Sequence, residues 1–338
     1  MKLLRAHWLL LCRLAPVLGV SLGGVAIEAA LAQQNVSGGI RHSQLRGVSS
    51  SVIFSTVNRN DARAALKVWF DIVARERGFL LDSTVDILDS VTEIRERLRS
   101  HSVELVTMGA VDYLDLESGN LVVPVLTDAR SSQGGALYSY VLLVNSSSGA
   151  TSIASLQGKN LLVASRDGAN TGIVWLDVFL GQEKLGRAAS FFASVKAPAK
   201  AQACILPVFF GAVDACVVDE VSLNLAKEMN PQLGRLRVLA RSRPMIESVI
   251  AVPAEPHPYQ KELIDSMLSL HEDPRGRQLL MVFKTNRLVR IQPGDLDSAR
   301  ELWRDYNRLS GSAPSRPLGP GPATAAERDQ ADRGKERY

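Results

Sequence analysis

A strand, a tight loop and a helix are predicted in immediate succession within residues 157–185, and this stretch constrains the fold more than any other part of the 338-residue chain. Residues 160–165 form a short apolar run that is typical of a buried strand. The polar residues 166–170 that follow favour a loop. Apolar residues then recur at helical spacing, and either Asn170 or Thr171 can cap the helix. The helix would begin at the carboxyl end of a strand, where its unpaired N–H groups suit an anion.

Strand-like and helix-like segments alternate along most of the chain. Strands are predicted at residues 48–56, 84–88, 103–108, 121–125, 138–144, 160–165, 188–193, 213–218, 236–240 and 248–252. Helices are predicted at residues 61–77, 91–99, 199–210, 221–229, 258–271, 274–283 and 295–309, besides the one that begins near Thr171. Alternation of this kind is typical of βαβ units and of mostly parallel sheets.

This pattern divides the chain into two α/β lobes. We predict a flexible lead-in at residues 33–47, a first lobe of residues 48–138 and 252–310, a second lobe with the hinge strands at residues 139–251, and a disordered tail at residues 311–338. The tail is rich in Pro, Gly, Ala and charged residues, a composition that does not support a packed core. Two chain crossings between the lobes predict a hinge, with a ligand cleft outside the carboxyl ends of the strands.

The first 32 residues have the features of a secretory signal peptide. A basic start precedes an apolar stretch at residues 14–27, and residues 30–32 read Ala-Leu-Ala, a small-x-small cleavage site. The alternative is a membrane anchor, but a span needs about 20 apolar residues and this stretch is shorter. The sequence therefore predicts export to the periplasm and a mature chain that begins at Gln33.

The charge of the predicted mature chain is nearly balanced. Residues 1–32 contain three basic residues and one acidic residue, so the 39 Lys and Arg and the 35 Asp and Glu of the whole chain become 36 and 34, a net charge of +2. A balance of this kind gives no indication of binding to nucleic acid or to an anionic membrane. Export also places Cys204 and Cys216 in an oxidising compartment, where they are either one disulfide or two buried thiols.

The sequence gives no indication of catalysis or of a metal or cofactor site. The four histidines of the predicted mature chain lie in no HExxH pattern, and that part of the chain contains no GxSxG or GxxxxGK motif. Cys204 and Cys216 have no histidine nearby and do not form a metal-binding pattern. We therefore predict that the protein is not an enzyme and binds neither a cofactor nor a metal.

Five short phrases, in this order, are similar to those of one protein family. They are residues 155–159 (SLQGK), 168–172 (GANTG), 211–219 (GAVDACVVD), 242–244 (SRP) and 273–276 (DPRG). The chain thereby resembles the periplasmic phosphate-, phosphite- and phosphonate-binding proteins of ABC transporters over most of residues 48–306. The resemblance implies a type II periplasmic-binding fold, an α/β fold in which two mixed, mostly parallel sheets are joined by a two-strand hinge.

The resemblance implies a periplasmic solute-binding protein that captures a small phosphate- or phosphonate-like anion in the cleft for ABC-type import. Its partners would be the anion and an ABC permease, and we expect a monomer. Two alternatives stay open. One is a ligand-sensing subunit for a signalling partner such as a sensor kinase, and the other is a binder of a non-phosphorus organic acid.

The resemblance also implies a set of ligand-binding residues. They are Ser55, Thr56, Ser90, Met108, Asn170, Thr171, Gly172, Lys200 and Asp219. Asn170, Thr171 and Gly172 would bind the anion. Asp219 would accept a hydrogen bond from a protonated oxygen or an amine of the ligand.

The remaining members of this set have less direct roles. Ser55 and Thr56 end the predicted first strand at the cleft, and Ser90 and Met108 occupy positions where the family often has aromatic contacts. Lys200 lies near the position of a family histidine that this chain lacks, where it would supply positive charge to the anion.

Three members of the set also have a purely structural interpretation. Thr171 and Asp219 can each cap the helix that follows. Lys200 can be an ordinary exposed helix residue.

Overall fold

The computed structural model describes residues 41–54, 59–76, 79–129, 135–164, 171–198 and 200–311. The predicted signal peptide, most of the predicted lead-in, Ser55, Thr56, Asn170 and nearly all of the predicted tail lie outside these residues.

The described residues form eleven strands and ten α-helices. The strands are β1 (Arg41–Ser50), β2 (Phe79–Leu88), β3 (Leu105–Gly109), β4 (Val122–Ala129), β5 (Tyr140–Asn145), β6 (Asn160–Val163), β7 (Ser194–Lys196), β8 (Ala215–Asp219), β9 (Leu236–Arg241), β10 (Ser248–Pro253) and β11 (Arg287–Arg290). The helices are α1 (Arg59–Glu76), α2 (Val91–Arg99), α3 (Ala110–Glu117), α4 (Thr171–Gln182), α5 (Ala188–Phe191), α6 (Ala201–Phe209), α7 (Glu220–Met229), α8 (Gln260–Ser269), α9 (Pro274–Val282) and α10 (Asp297–Ser310).

Two mixed sheets organise these elements, which confirms the predicted architecture. The first sheet has the strand order β11-β4-β10-β3-β1-β2 and the second the order β7-β6-β8-β5-β9. Strands β1, β2 and β3 are parallel, as are β6, β7 and β8, whereas β5 and β10 run antiparallel to both of their neighbours. Parallel pairs are therefore no more frequent than antiparallel pairs among the described strands, because the strands on either side of the two crossings reverse direction.

The two segments that link the sheets are hydrogen-bonded to each other. Tyr138 precedes β5 of the second sheet, and Met245 precedes β10 of the first. Their backbones form an isolated antiparallel bridge, with N···O distances of 2.8 and 2.9 Å. The chain thus passes between the sheets twice at one place, the arrangement expected of a hinge. Because β10 belongs to the first sheet, the return crossing ends at Ser248 and not after residue 251.

Three buried apolar clusters hold the layers together. One packs α1, α8 and α9 on one face of the first sheet, and another packs α6 and α7 on one face of the second. The third contains residues of both sheets, including Val106, Met108, Leu142 and Val217. The two lobes therefore share one apolar cluster beside the crossing segments.

The first strand is earlier and longer than predicted, so residues 41–47 of the predicted flexible lead-in are strand. The prediction placed a strand at residues 48–56, but β1 ends at Ser50 and a 3-10 helix, Ser51–Phe54, follows. Strand β1 pairs with β2 in parallel over its whole length. The charged Arg46 is tolerated because its guanidinium and backbone N–H both bond to the Glu104 carboxylate.

The strand predicted at residues 188–193 is also misplaced. Residues Ala188–Phe191 form α5, and the strand follows at Ser194–Lys196. The first N–H of this helix is bound by a side chain from another element: Asp177 of α4 accepts a hydrogen bond from the Ala188 N–H at 2.8 Å. The apolar pattern of these residues reflects burial of Phe191 and Phe192 and does not indicate a strand.

The last helix, α10, contacts both lobes, although the final helices were predicted to return to the first lobe alone. Arg300 of α10 bonds to Glu117 of α3 through two nitrogens at 3.0 and 2.6 Å. On the other side Leu309 lies against Gly181 of α4, so closely that a Cβ at Gly181 would be 2.7 Å from it. Helix α10 therefore joins α3 to α4.

Cys204 of α6 and Cys216 of β8 form a disulfide, with a Cα–Cα distance of 5.7 Å. Of the two alternatives that the sequence left open, a disulfide or two buried thiols, the structure has the disulfide. Both residues are fully buried in the apolar cluster of the second sheet.

In the part of the chain that the structure describes, no helix is long and apolar enough to cross a membrane.

We predict that the disulfide stabilises the second lobe by about 3 kcal/mol, because it closes a loop of 12 residues in the unfolded chain. Urea unfolding with and without reductant measures this difference. The Cys204→Ala/Cys216→Ala variant is the control, since its unfolding midpoint should not respond to reductant. Equal midpoints for the reduced and oxidised natural chain would contradict the prediction.

The contact between α10 and α3 predicts a pH-dependent contribution to stability. The hydrogen bond from Arg300 lowers the pKa of Glu117 below its usual value of 4.5. A lowered pKa in the folded state stabilises the protein above the pKa of the unfolded state, and this stability is lost as the pH falls through the folded-state pKa.

Glu117→Gln should therefore lower the free energy of unfolding by about 1 kcal/mol at pH 7, and the difference from the natural chain should shrink below pH 4.5. Denaturant unfolding at pH 7 and pH 3.5 measures it. The exposed Glu96→Gln on α2 is the matched control. A difference that stays constant with pH would show that the charge of Glu117 does not contribute.

Candidate ligand site

Helix α4 begins at Thr171, as the sequence predicted, and its first turn is the centre of the candidate site. The Thr171 side chain is 1% exposed. Its hydroxyl oxygen has no hydrogen-bond partner in the described part of the chain. A buried polar group without a partner is unfavourable unless something else satisfies it. The first N–H groups of a helix also lack partners within the helix and carry its positive dipole end.

Gly172 lets the start of α4 lie directly against Tyr140. A Cβ at this position would be 3.1 Å from two carbons of the Tyr140 ring and 3.3 Å from a methyl of Val217. Such contacts are too close for a larger residue unless its neighbours move. The phrase GANTG therefore has its last glycine at a point of close packing between the helix backbone and β5.

Tyr140, the first residue of β5, connects the helix start to both lobes. Its N–H donates to the Ser242 hydroxyl at 2.8 Å, and it lies opposite Asp219 in the sheet. Its phenol donates a hydrogen bond to the carboxylate of Glu247. Burial first, and then the negative charges of Glu247 and Asp219, raise the pKa of Tyr140 well above its usual value. The phenol is thus a hydrogen-bond donor at neutral pH.

The Thr171 hydroxyl lies near this phenol. It is close enough to lower the pKa of Tyr140 slightly against the other effects, but it does not have the geometry of a hydrogen bond with it. Thr171 and Tyr140 are therefore neighbours whose polar groups are not satisfied by each other.

Glu247 links the first lobe to this cluster. Its side chain accepts the Tyr140 phenol, while its backbone carbonyl accepts the N–H of Ala110, the first residue of α3, at 2.8 Å. The residue is 6% exposed. A buried carboxylate is held by hydrogen bonds because leaving it unpaired is costly.

Asp219 caps helix α7, as the structural interpretation predicted. One of its oxygens accepts a hydrogen bond from the N–H of Ser222 at 2.8 Å. The side chain is buried and its charge acts on Tyr140, so Asp219 also lies beside the start of α4.

Three other predicted residues do not join this cluster. The Ser90 hydroxyl caps α2 by accepting from the N–H of Thr92 at 3.2 Å. Met108 is fully buried and belongs to the apolar cluster shared by the sheets. Lys200 is exposed at the start of α6 and makes no capping hydrogen bond. Ser55, Thr56 and Asn170 lie outside the described residues.

The structure adds two residues that sequence reasoning missed, Tyr140 and Glu247. Each has a weak signal in the sequence. Tyr140 is a polar aromatic residue at the start of the apolar strand VLLV, and Glu247 is a charged residue directly before the buried strand β10. Their pairing was not visible, because 107 residues separate them.

Among the described residues no group of three or more His, Cys, Asp or Glu side chains is placed to hold a metal ion.

The fold is similar to that of several proteins of known structure. A Xanthomonas citri protein, solved with bound chloride and with bound ATP, matches with a TM-score of 0.60 at 17% and 18% identity, over 79% of this chain and 98% of its own. A binding protein component of an ABC phosphonate transporter from Pseudomonas aeruginosa matches with a TM-score of 0.56 at 12% identity, over 87% of this chain and 94% of its own. PhnD1 of Prochlorococcus marinus, in complex with methylphosphonate, matches with a TM-score of 0.53 at 15% identity, over 78% of this chain and 98% of its own.

At these identities the likeness shows the fold alone. A search of curated proteins found no match. The sequence itself, however, matches a family model over residues 52–296, that of the periplasmic substrate-binding proteins of phosphonate ABC transporters. The chain belongs to this family of periplasmic substrate-binding proteins.

Proposed function

We propose that the protein binds a small phosphonate-like anion at the start of α4 and delivers it to an ABC permease. The observation that carries this proposal is the buried Thr171 hydroxyl without a hydrogen-bond partner in the described part of the chain, at the positive end of a helix. An oxyanion placed there would accept a hydrogen bond from this hydroxyl and from the N–H groups of the first turn.

The two neighbouring carboxylates favour particular anions. Glu247 and Asp219 both raise the pKa of Tyr140, so both lie close enough to oppose further negative charge. A dianion would be repelled more strongly than a monoanion. We infer that the ligand is singly charged or carries an ammonium group beside its anionic group, so that the carboxylates face a protonated oxygen or an amine.

The transport role rests on membership of the family, whose members are substrate-binding proteins of ABC transporters. We propose that residues 1–32 direct export to the periplasm, where the protein would meet its permease as a monomer.

Calorimetry of the purified protein against a panel of anions tests the ligand class. The panel contains phosphate, phosphite, methylphosphonate, 2-aminoethylphosphonate, sulfate, methanesulfonate and acetate. We expect binding of a phosphonate and the weakest binding for doubly charged ions. Binding of acetate or methanesulfonate in preference to every phosphorus anion would replace the proposal with an organic acid or sulfonate receptor.

We predict that Thr171→Val weakens binding of the preferred anion by about 1–3 kcal/mol, through loss of a charge-assisted hydrogen bond in a buried site. The exchange keeps the shape of the side chain. Calorimetry measures the change, and Thr151→Val, an exposed position before β6, is the matched control. Unchanged affinity in Thr171→Val would remove this hydroxyl from the site.

Tyr140→Phe should lower the free energy of unfolding by about 1–3 kcal/mol, because the buried Glu247 carboxylate loses a donor. Tyr138→Phe is the comparison, since that phenol donates a longer bond of 3.3 Å to the backbone carbonyl of Asp128. We expect a smaller loss there in denaturant unfolding. Equal stability of Tyr140→Phe and the natural chain would mean that this bond does not hold the lobes.

A further inference from the structure

A cavity of about 100 Å³ lies between the first sheet and helices α1, α8 and α9. Its walls are mainly apolar and include Leu66, Trp69, Ile250, Met267, Leu279 and Leu280. None of the described residues that line it belongs to the cluster around Thr171. On the same measure a cavity needs about 10–15 Å³ to hold one water molecule, so this one has room for a small ring.

Trp69 places a polar group in the wall of the cavity. Trp69 is 4% exposed, and its indole N–H has no hydrogen-bond partner among the residues that the structure describes. A buried tryptophan usually finds an acceptor for this group, and leaving it without one is unfavourable. Because no described residue supplies an acceptor, a molecule inside the cavity could supply one.

Ser248, Asp128 and Thr285, which also line the cavity, are hydrogen-bonded within the protein. The Ser248 hydroxyl donates to the Asp128 carboxylate. The Thr285 hydroxyl lies 3.3 and 3.2 Å from the carbonyl oxygens of Ala129 and Arg287. These groups make a polar side that is already hydrogen-bonded, and the carboxylate of Asp128 opposes an anion there.

We infer that this cavity is a second binding site, separate from the anion site, for a small uncharged molecule with an apolar ring or short chain and one hydrogen-bond acceptor. The apolar walls bind the body of the molecule, and the Trp69 N–H donates to its acceptor. The apolar walls and the Asp128 carboxylate both disfavour an anion inside the cavity. Lys284 also lines the cavity, but it is an exposed residue. The two sites therefore take ligands of different chemistry.

The test compares two ligands of one shape, acetophenone and α-methylstyrene, which differ in that only the ketone has an acceptor. Both are titrated into the purified full-length protein and followed by ligand-observed NMR. The variants are Trp69→Phe, which removes the donor and keeps a ring, and Leu280→Phe, which fills the cavity. Trp303→Phe on α10 is the matched control.

We expect both ligands to bind the natural chain and the Trp303→Phe control. Trp69→Phe should lower the affinity for acetophenone about tenfold, which is the size of one hydrogen bond to a buried donor. The affinity for α-methylstyrene should change less than twofold. Leu280→Phe should lower the affinity for both ligands. If neither ligand binds the natural chain, or if Trp69→Phe weakens the two equally, the inference is wrong, and the first of these results does not depend on any variant folding.

Discussion

The hydrogen bond from the Tyr140 phenol to the Glu247 carboxylate is the contact on which the rest of the site depends. Tyr140 belongs to the second sheet, while the backbone of Glu247 bonds to the start of α3 beside the first. A carboxylate this deeply buried needs donors, and the raised pKa of Tyr140 keeps its phenol protonated at neutral pH. The pair thus holds the two lobes in register where the chain crosses between them.

Helix α4 packs against the same tyrosine. Because residue 172 is glycine, the helix start packs against the Tyr140 ring. The buried Thr171 hydroxyl beside it has no hydrogen-bond partner among the described residues. The helix offers positive charge and donors, whereas Glu247 and Asp219 set a limit on negative charge. In the site that we propose, the balance between these two influences would determine which small anions bind.

Local patterns predicted the parts of the fold that local chemistry decides. The strand at residues 160–163, the helix that begins at Thr171, the cap at Asp219 and the two-sheet architecture all depend on neighbours in sequence or on regular alternation. Contacts between distant residues were not visible. Strand β1 begins earlier than predicted because β2 pairs with it. Helix α5 begins where Asp177 accepts a hydrogen bond from the N–H of Ala188. The hydrogen bond between Tyr140 and Glu247 forms only where the two crossings of the chain meet.

The most direct test of the account is a crystal structure of the protein grown with methylphosphonate. We predict phosphonate oxygens within hydrogen-bond distance of the Thr171 hydroxyl and of the N–H groups of Gly172 or Ile173, with the Tyr140 to Glu247 bond intact beside them. A phosphonate bound at another place, with no contact to the first turn of α4, would contradict it.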